Sequence, residues 1–335
     1  MDQRILGKDG LVASALGLGC MGLSQGYGPV DEEQAIQVIR QALDCGITLI
    51  DTAMSYGEGQ NERLLGRAIA GRREQAIIAT KFGIVRDGQN VRLDASPDRV
   101  QGDCEASLAR LGIETIDLYY LHRADPTVPV AETIGAMARL VEAGKVRYLG
   151  VAELRPDQIE EASRVHAISA VQFEWSLLWR APESDVVPVA RRLGIGLVPY
   201  SPLGRGLLTA TLAPQDIDAS VFRRNDPRFH GSNLDRNLAQ VAALKMFSDE
   251  YGVTTGQMAL AWLLAQGPDV IPIPATRQPR RVLENAAAVD QRMEKLSHGP
   301  GTGASSAGAR DMSGGGTSRN SRSPFFPRRR LLQSA

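Results

Sequence analysis

An excess of charge of either sign is missing from this chain. Lysine plus arginine number 38, aspartate plus glutamate number 38, and the formal net charge is zero. That balance argues against a protein built to hold nucleic acid or a membrane surface. Cysteine is scarce as well. Cys20, Cys45 and Cys104 are odd in number and scattered, so they supply neither a disulfide framework nor a metal-ligand spacing. A reducing, cytoplasmic setting with no bound metal is the expectation. Long apolar runs are also absent, and no stretch reaches the length that spans a bilayer. The opening "MDQRILGKDG" has no apolar core of the kind a signal peptide uses.

What is present is a chain of 335 residues, 43% of them hydrophobic. That suffices for one large barrel-type domain or two ordinary ones, with a core that needs no disulfides. Short apolar runs lie at 15–19, 47–53, 76–81, 115–122, 146–153, 168–174, 195–204 and 268–276. Helical patterns separate them. In residues 31–46, Asp31 is placed as N-cap, Gln34 fits a capping box, and Ala35, Ile36, Ile39, Ala42 and Leu43 share one face. Residues 96–112 read as a helix with Ser96 as cap and Pro97 at its first position. Strands apolar on both faces and separated by helices mean a parallel sheet. Eight such units favour a closed (β/α)8 TIM barrel over an open doubly wound sheet.

The composition changes near residue 297. From Gly299 to Ala335 there are six arginines against one aspartate, a net of +5, which leaves about −5 for the body. Glycine, serine and arginine bury too little surface to fold alone. The expected organisation is one barrel domain over residues 1–296 and a disordered, low-complexity tail over 297–335.

In such a barrel the C-terminal ends of the strands converge on one pocket. The second strand ends at Asp51, with Tyr56 in the loop that follows; the third ends at Lys81 and the fourth at His122. Each alone has an ordinary structural reading. An acid, a phenol, an ammonium and an imidazole at successive strand ends of the same polarity are hard to explain by stability. By contrast, "GLGCMG" (17–22) matches G-x-G-x-x-G only on paper. The dinucleotide fingerprint needs a helix to open there, whereas here the helix waits until Asp31. It reads as the first barrel loop. Trp175 and Trp179 either line a substrate pocket or simply pack.

The segments "DTAMSYGEGQNERLLG", "ATKFG", "DLYYLHR", "GKVRYLGVAE", "AVQFEWSLLWR", "GLVPYSPLGRGLLT" and "VIPIPATRQPRRVLEN" resemble, in order and spacing, the aldo-keto reductases. The resemblance runs from about residue 3 to about residue 289. It is closest to the bacterial and plant NADPH-dependent branch that is also similar to potassium-channel β subunits.

The resemblance implies reversible, NADPH-dependent reduction of an aldehyde or ketone to an alcohol, with NADH the lesser expectation. It implies a catalytic tetrad of Asp51, Tyr56, Lys81 and His122. Tyr56 would donate the proton, and Lys81 would lower its pKa from about 10. Asp51 would hold Lys81, and His122 would orient the carbonyl oxygen. The implied cofactor site begins with Gly19, Met21 and Asp51. Gln172 would bond the nicotinamide amide and Tyr200 would stack on its ring. Ser201, Pro202, Leu203, Gly204 and Gly206 would wrap the pyrophosphate. Ala275, Thr276 and Arg281, with Arg277 beside them, would meet the adenosine 2′-phosphate, and Glu284 and Asn285 the adenine. For Arg277, Arg280 and Arg281 the competing reading is a solvated basic helix start.

A nucleotide-binding regulatory or redox-sensing subunit on the same barrel, with little turnover, is the alternative. The small-molecule partner would be a carbonyl compound or alcohol. The chain departs from the family twice. Ala152 stands where a serine or asparagine usually bonds the carboxamide, and the sequence after residue 289 does not continue the family's C-terminal segment.

Overall fold

Seven short strands carry the barrel in a computed structural model that describes residues 1–28, 31–87 and 90–291. The tail over 297–335, and its expected disorder, lie outside the described residues. An N-terminal hairpin, β1 (Gln3–Leu6) and β2 (Leu11–Ser14), precedes β3 (Leu18–Gly19), β4 (Leu49–Asp51) and β5 (Ile77–Phe82). A second hairpin, β6 (Ile84–Asp87) and β7 (Asn90–Leu93), follows β5. Then come β8 (Ile116–Leu121), β9 (Val146–Ala152), β10 (Ala170–Glu174) and β11 (Gly196–Tyr200). The parallel sheet has the order β11-β10-β9-β8-β5-β4-β3.

The expected eighth strand, residues 268–276, is present as a closing stave without being a regular strand. Ile271 N–H donates to Leu197 O at 2.8 Å and Ile273 N–H to Pro199 O at 3.0 Å. On the other side, Gly17 donates to Pro272 O and Gly19 to Pro274 O, at 3.0 and 3.2 Å. Pro272 and Pro274 have no N–H to return, so the ladder runs one way on that side and regular pairing fails. The carbonyls still close the barrel.

Helices α1 (Glu32–Asp44), α2 (Gln60–Ala68), α3 (Pro97–Leu111), α4 (Val130–Glu142), α5 (Pro156–Val165) and α6 (Val186–Leu193) follow successive barrel strands. Asp31 accepts from the N–H groups of Glu33 and Gln34, as the N-cap reading expects. Ser96 makes no such side-chain bond at α3, although Pro97 does open that helix. After β11 more than one helix precedes the closing stave. Short α7 (Pro214–Asp218) and α8 (Val221–Arg224) precede α9 (Gly231–Glu250) and α10 (Thr255–Leu264), and α11 (Pro279–Ala286) follows the closing stave.

Two apolar clusters divide the core. Ile50, Ile78, Tyr119, Leu121, Val151, Val171 and Leu197 point outward and pack under the helices. Leu49, Ala79, Leu118, Tyr120, Ala170, Val198 and Ile271 fill the barrel interior, together with Leu6, Leu11 and Ala13 of the N-terminal hairpin. The hairpin, which the strand reading missed, therefore plugs the end of the barrel remote from the strand C-termini. The alternation also places the chemistry. Side chains alternate with period two along a strand. If Leu49, Ala79, Leu118, Ala170 and Val198 face inward, so do Asp51, Lys81, His122, Gln172 and Tyr200 by register.

Candidate active site

Strand parity delivers these five groups to the mouth, and one loop delivers a sixth, Tyr56. After Tyr56 the chain turns through three successive left-handed residues, Gly57 (φ 56°), Glu58 (φ 54°) and Gly59 (φ 83°). Glycine adopts this conformation freely. Glu58 does not, and a left-handed non-glycine residue costs on the order of 1–3 kcal/mol. That turn is what "SYGEG" encodes. It swings Tyr56 back over the strand ends and starts α2 straight afterwards.

Lys81 is completely buried, and its ammonium is held by three acceptors. These are Asp51 Oδ1 at 2.5 Å, Thr52 O at 2.8 Å and Tyr56 Oη at 3.4 Å. A buried ammonium is costly to desolvate unless its protons are all satisfied. Burial pulls its pKa down, but Asp51 and then Tyr56 more than offset this, so Lys81 titrates above its ordinary value and stays charged. The second Asp51 oxygen accepts from Gln172 Nε2 at 2.8 Å. His122 lies edge-on to Tyr56, with ring centroids 5.8 Å apart. Burial, then Lys81, Arg123 and Arg86, push its pKa well below the ordinary histidine range, so the imidazole is neutral. Its Nδ1 is buried with no hydrogen-bond partner among the described residues.

One expectation needs correcting. Lys81 was to lower the Tyr56 pKa. Burial is the larger influence and raises it; Lys81 opposes the rise without cancelling it. The phenol therefore holds its proton more firmly than a free tyrosine.

A layer behind these groups was also missed. Asn61, fully buried, donates to Cys20 O at 2.8 Å and to Ser24 Oγ at 2.9 Å, and accepts from Thr52 Oγ1 at 2.6 Å. It ties the loop after β3 to the end of β4. Glu62, equally buried, accepts from Thr80 Oγ1 and pairs with Arg110. Both stand in a stretch that reads simply as the first turn of an amphipathic helix. A buried Asn-Glu pair on an otherwise apolar face was the available signal.

The mouth opens into a cavity of about 600 Å³. Gly19, Met21, Asp51, Tyr56, His122, Gln172, Tyr200, Ser201, Pro202, Leu203, Gly206, Ala275, Thr276, Arg277, Arg281, Glu284 and Asn285 line it together. Lys81 sits behind its wall. Gly204 is off the wall too, in a left-handed turn (φ 57°). The N–H groups of Gly204 and Gly206 donate to Ser201 O and Leu203 O, so these two amides serve the turn itself. Arg281 Nη1 pairs with Glu284 Oε2 at 2.6 Å. Neither tryptophan lines the cavity. Trp175 is core and bonds Glu183 through its Nε1, while Trp179 is 47% exposed. Ala152 is buried opposite Gln172 and is likewise off the wall.

Other lining groups escaped the sequence reading. Tyr27 and Phe222 approach with ring centroids 5.8 Å apart, Arg223 lies over Tyr27, and Arg86 and Arg123 flank the His122 region. They come from loops, a hairpin and the one-turn helix α8, all too short to carry a periodic signature. The donor set suits an elongated dinucleotide. Hydrogen-bonding groups at Gln172 and Tyr200 share the cavity with guanidiniums at Arg277 and Arg281. The unpartnered His122 Nδ1 shows that the catalytic end has unused hydrogen-bonding capacity.

A parallel α/β barrel with an acid, a charged lysine, a tyrosine and a neutral histidine at the strand C-termini defines a barrel oxidoreductase. The Aldo/keto reductase family model matches residues 15–298. A Glycine max protein, "Probable aldo-keto reductase 1", is 43% identical over 293 residues, covering 87% of this chain and 85% of that one. The structure of a glycerol dehydrogenase from Gluconobacter oxydans superposes with a TM-score of 0.77 at 30% identity, over 88% of this chain and 94% of the other. The holo form of an aldo-keto reductase from Bacillus halodurans does so with a TM-score of 0.74 at 29% identity, over 89% and 95%. The chain belongs to the aldo-keto reductase family, whose members are NAD(P)H-dependent oxidoreductases that act on carbonyl groups.

Proposed function

We propose that this protein reduces an aldehyde or ketone to the alcohol with NADPH, reversibly, and that Tyr56 donates the proton. The observation that carries the reading is Lys81, buried between Asp51 Oδ1 and Tyr56 Oη. An ammonium has no acceptor. In the Lys81–Tyr56 bond the phenol oxygen must therefore accept, which leaves the Tyr56 proton for another oxygen. The phenol stays protonated through the neutral range, because burial raises its pKa. As a carbonyl oxygen gains negative charge, Tyr56 transfers its proton to that oxygen. Lys81 stabilises the phenolate that results, and Asp51 keeps Lys81 in place. Neutral His122 donates a hydrogen bond to the same oxygen from one ring N–H, without competing as an acid.

A bound reduced nicotinamide supplies the hydride to the carbonyl carbon. Gln172 and Tyr200 would hold its reactive end, and Gly19 and Met21 the floor beneath it. The segment Ser201, Pro202, Leu203, Gly204 and Gly206 would follow the pyrophosphate. Ala275, Thr276, Arg277 and Arg281 would hold a 2′-phosphate, and Glu284 and Asn285 the adenine. Two basic side chains around the start of α11 support NADPH over NADH, since guanidinium pairs strongly with phosphate. At Arg281 the phosphate would displace Glu284. Gln172 would share its amide between Asp51 and the cofactor.

Among the described residues no helix is long and apolar enough to cross a membrane. The three cysteines are unpaired. Both features are compatible with a cytoplasmic enzyme.

The test is loss of nicotinamide absorbance with NADPH and a panel of aldehydes and ketones. Turnover of at least one carbonyl is expected, with the alcohol as product. Tight NADPH binding with no turnover of any carbonyl would overturn the reading in favour of a regulatory subunit.

A further inference from the structure

Two arginines stand over the catalytic end of the cavity, and the chemistry described so far does not use them. Arg123 directly follows His122, and its Nη1 donates to His122 O at 2.8 Å. Arg86 comes from β6, which leaves β5 where Phe82 O accepts the His122 N–H. Both guanidiniums line the cavity, and both act on the His122 imidazole through space. Arg86 Nε is buried with no hydrogen-bond partner among the described residues.

No described carboxylate lies within ion-pairing distance of either arginine. The acids on neighbouring elements are engaged elsewhere. Asp125 accepts from Thr127 and Ala95, and Asp94 from Arg92 and Ser96. Of the acids that line the cavity, Asp51 is tied to Lys81 and Glu284 to Arg281. Asp216 belongs to α7, on the loop side of the mouth. The catalytic end thus carries two partly buried cations that nothing described neutralises, beside an imidazole that stays neutral. Partial burial strengthens their field, because water screens them less.

We propose that the physiological substrate is an anionic carbonyl compound, its carbonyl oxygen between Tyr56 and His122 and its anionic group held by Arg86 and Arg123. The proposal rests on the reductase reading and names its substrate class. A carboxylate and a phosphate monoester share the chemistry that paired guanidiniums recognise, with bidentate, charge-assisted hydrogen bonds. The group would sit a few atoms from the carbonyl carbon, so that both ends are engaged at once.

The test compares kcat/KM for 4-formylbenzoate, 4-formylphenyl phosphate and the neutral methyl 4-formylbenzoate, with NADPH, at low salt. The full-length protein should prefer at least one anion over the ester, and added KCl should erode that preference. In Arg123→Met and Arg86→Met the ratio of anion to ester should fall by roughly 10- to 100-fold, the usual worth of a charge-assisted contact. Arg123→Lys should keep part of it. The two anions separate carboxylate from phosphate. Equal kcat/KM for charged and neutral aldehydes in the unmodified protein would overturn the proposal, and that comparison needs no variant to fold. So would a preference that survives both substitutions. A loss shared equally by all three aldehydes, with weaker NADPH binding, would assign the arginines to the cofactor and also overturn it. Turnover without charge preference leaves the reductase reading standing, whereas no turnover of any aldehyde removes both.

Discussion

The two ends of the cavity make the same kind of contact with opposite consequences. At the catalytic end Lys81 meets Asp51 at 2.5 Å, with side chains 0% and 4% exposed. At the basic end Arg281 meets Glu284 at 2.6 Å, with side chains 31% and 23% exposed. The distances are alike; the surroundings are not. In a dry site each charge depends on its partner, and removing one leaves the other uncompensated. Near water the solvent replaces a lost partner, and such a pair contributes about 0–1 kcal/mol. The catalytic end is therefore locked to one arrangement. On the proposed reading, the basic end would exchange a carboxylate for a ligand phosphate at little cost, so rigidity sits where the proton would move and exchangeability where the cofactor would bind.

Lys81→Met should break this contrast most severely. It strands Asp51 in the barrel, so a stability loss of about 3–5 kcal/mol is expected in chemical denaturation. Turnover should collapse as well, and any residual rate should depend on a tyrosine that titrates still higher, because Lys81 is what holds its pKa down. A Met variant as stable as the parent would mean that Asp51 is protonated or solvated, and the locked-end picture would be wrong.

Tyr56→Phe should spare the fold and lower turnover by about 10²–10⁴-fold. The parent's reductive kcat should also carry a signature of burial. On the proposed mechanism reduction needs the protonated phenol, and a pKa raised above about 10 keeps that form dominant through neutral and mildly alkaline pH. The pH profile should stay flat there and fall only above the ordinary tyrosine range. A fall near neutrality would show that another group limits the proton transfer.

Arg281→Ala probes the exchangeable end. A charge-assisted phosphate contact is worth on the order of 1.5–3 kcal/mol, but exposure and competition from Glu284 should hold the loss to roughly tenfold. That loss should fall on NADPH and spare NADH. Equal losses for both cofactors, measured by fluorescence titration, would put the 2′-phosphate elsewhere.

Ala152→Ser should do least. The position lies opposite Gln172 and off the cavity wall. A new hydroxyl can steady Gln172 more readily than it can reach a ligand. One neutral hydrogen bond is worth about 0.5–1.5 kcal/mol, so the change in NADPH affinity should stay below roughly tenfold. A larger gain would reveal direct contact with the nicotinamide.

Periodicity alone determined much of this protein. The spacing of eight apolar runs, alternating with amphipathic helices, specified a parallel barrel. Counting by two along each run puts Asp51 with Leu49, Lys81 with Ala79, Gln172 with Ala170 and Tyr200 with Val198 on one face of each strand, but only the closed barrel shows that this face is the inner one. Even the failure of regular pairing in residues 268–276 is written in Pro272 and Pro274, though the carbonyl bonds that close the barrel there are not. Tertiary structure decided the rest. The proton on Tyr56 depends on how burial weighs against Lys81, and desolvation is a property of the whole surround. Gln172 turns toward Asp51 from 121 residues away. Asn61 and Glu62 gain their roles only when α2 lies against two strand ends. Arg86 and Arg123 both act on His122 only because the β6–β7 hairpin leaves the sheet beside it. None of these contacts recurs with a period, so no local pattern could announce them, and each depends on a distance that exists only after the barrel has closed.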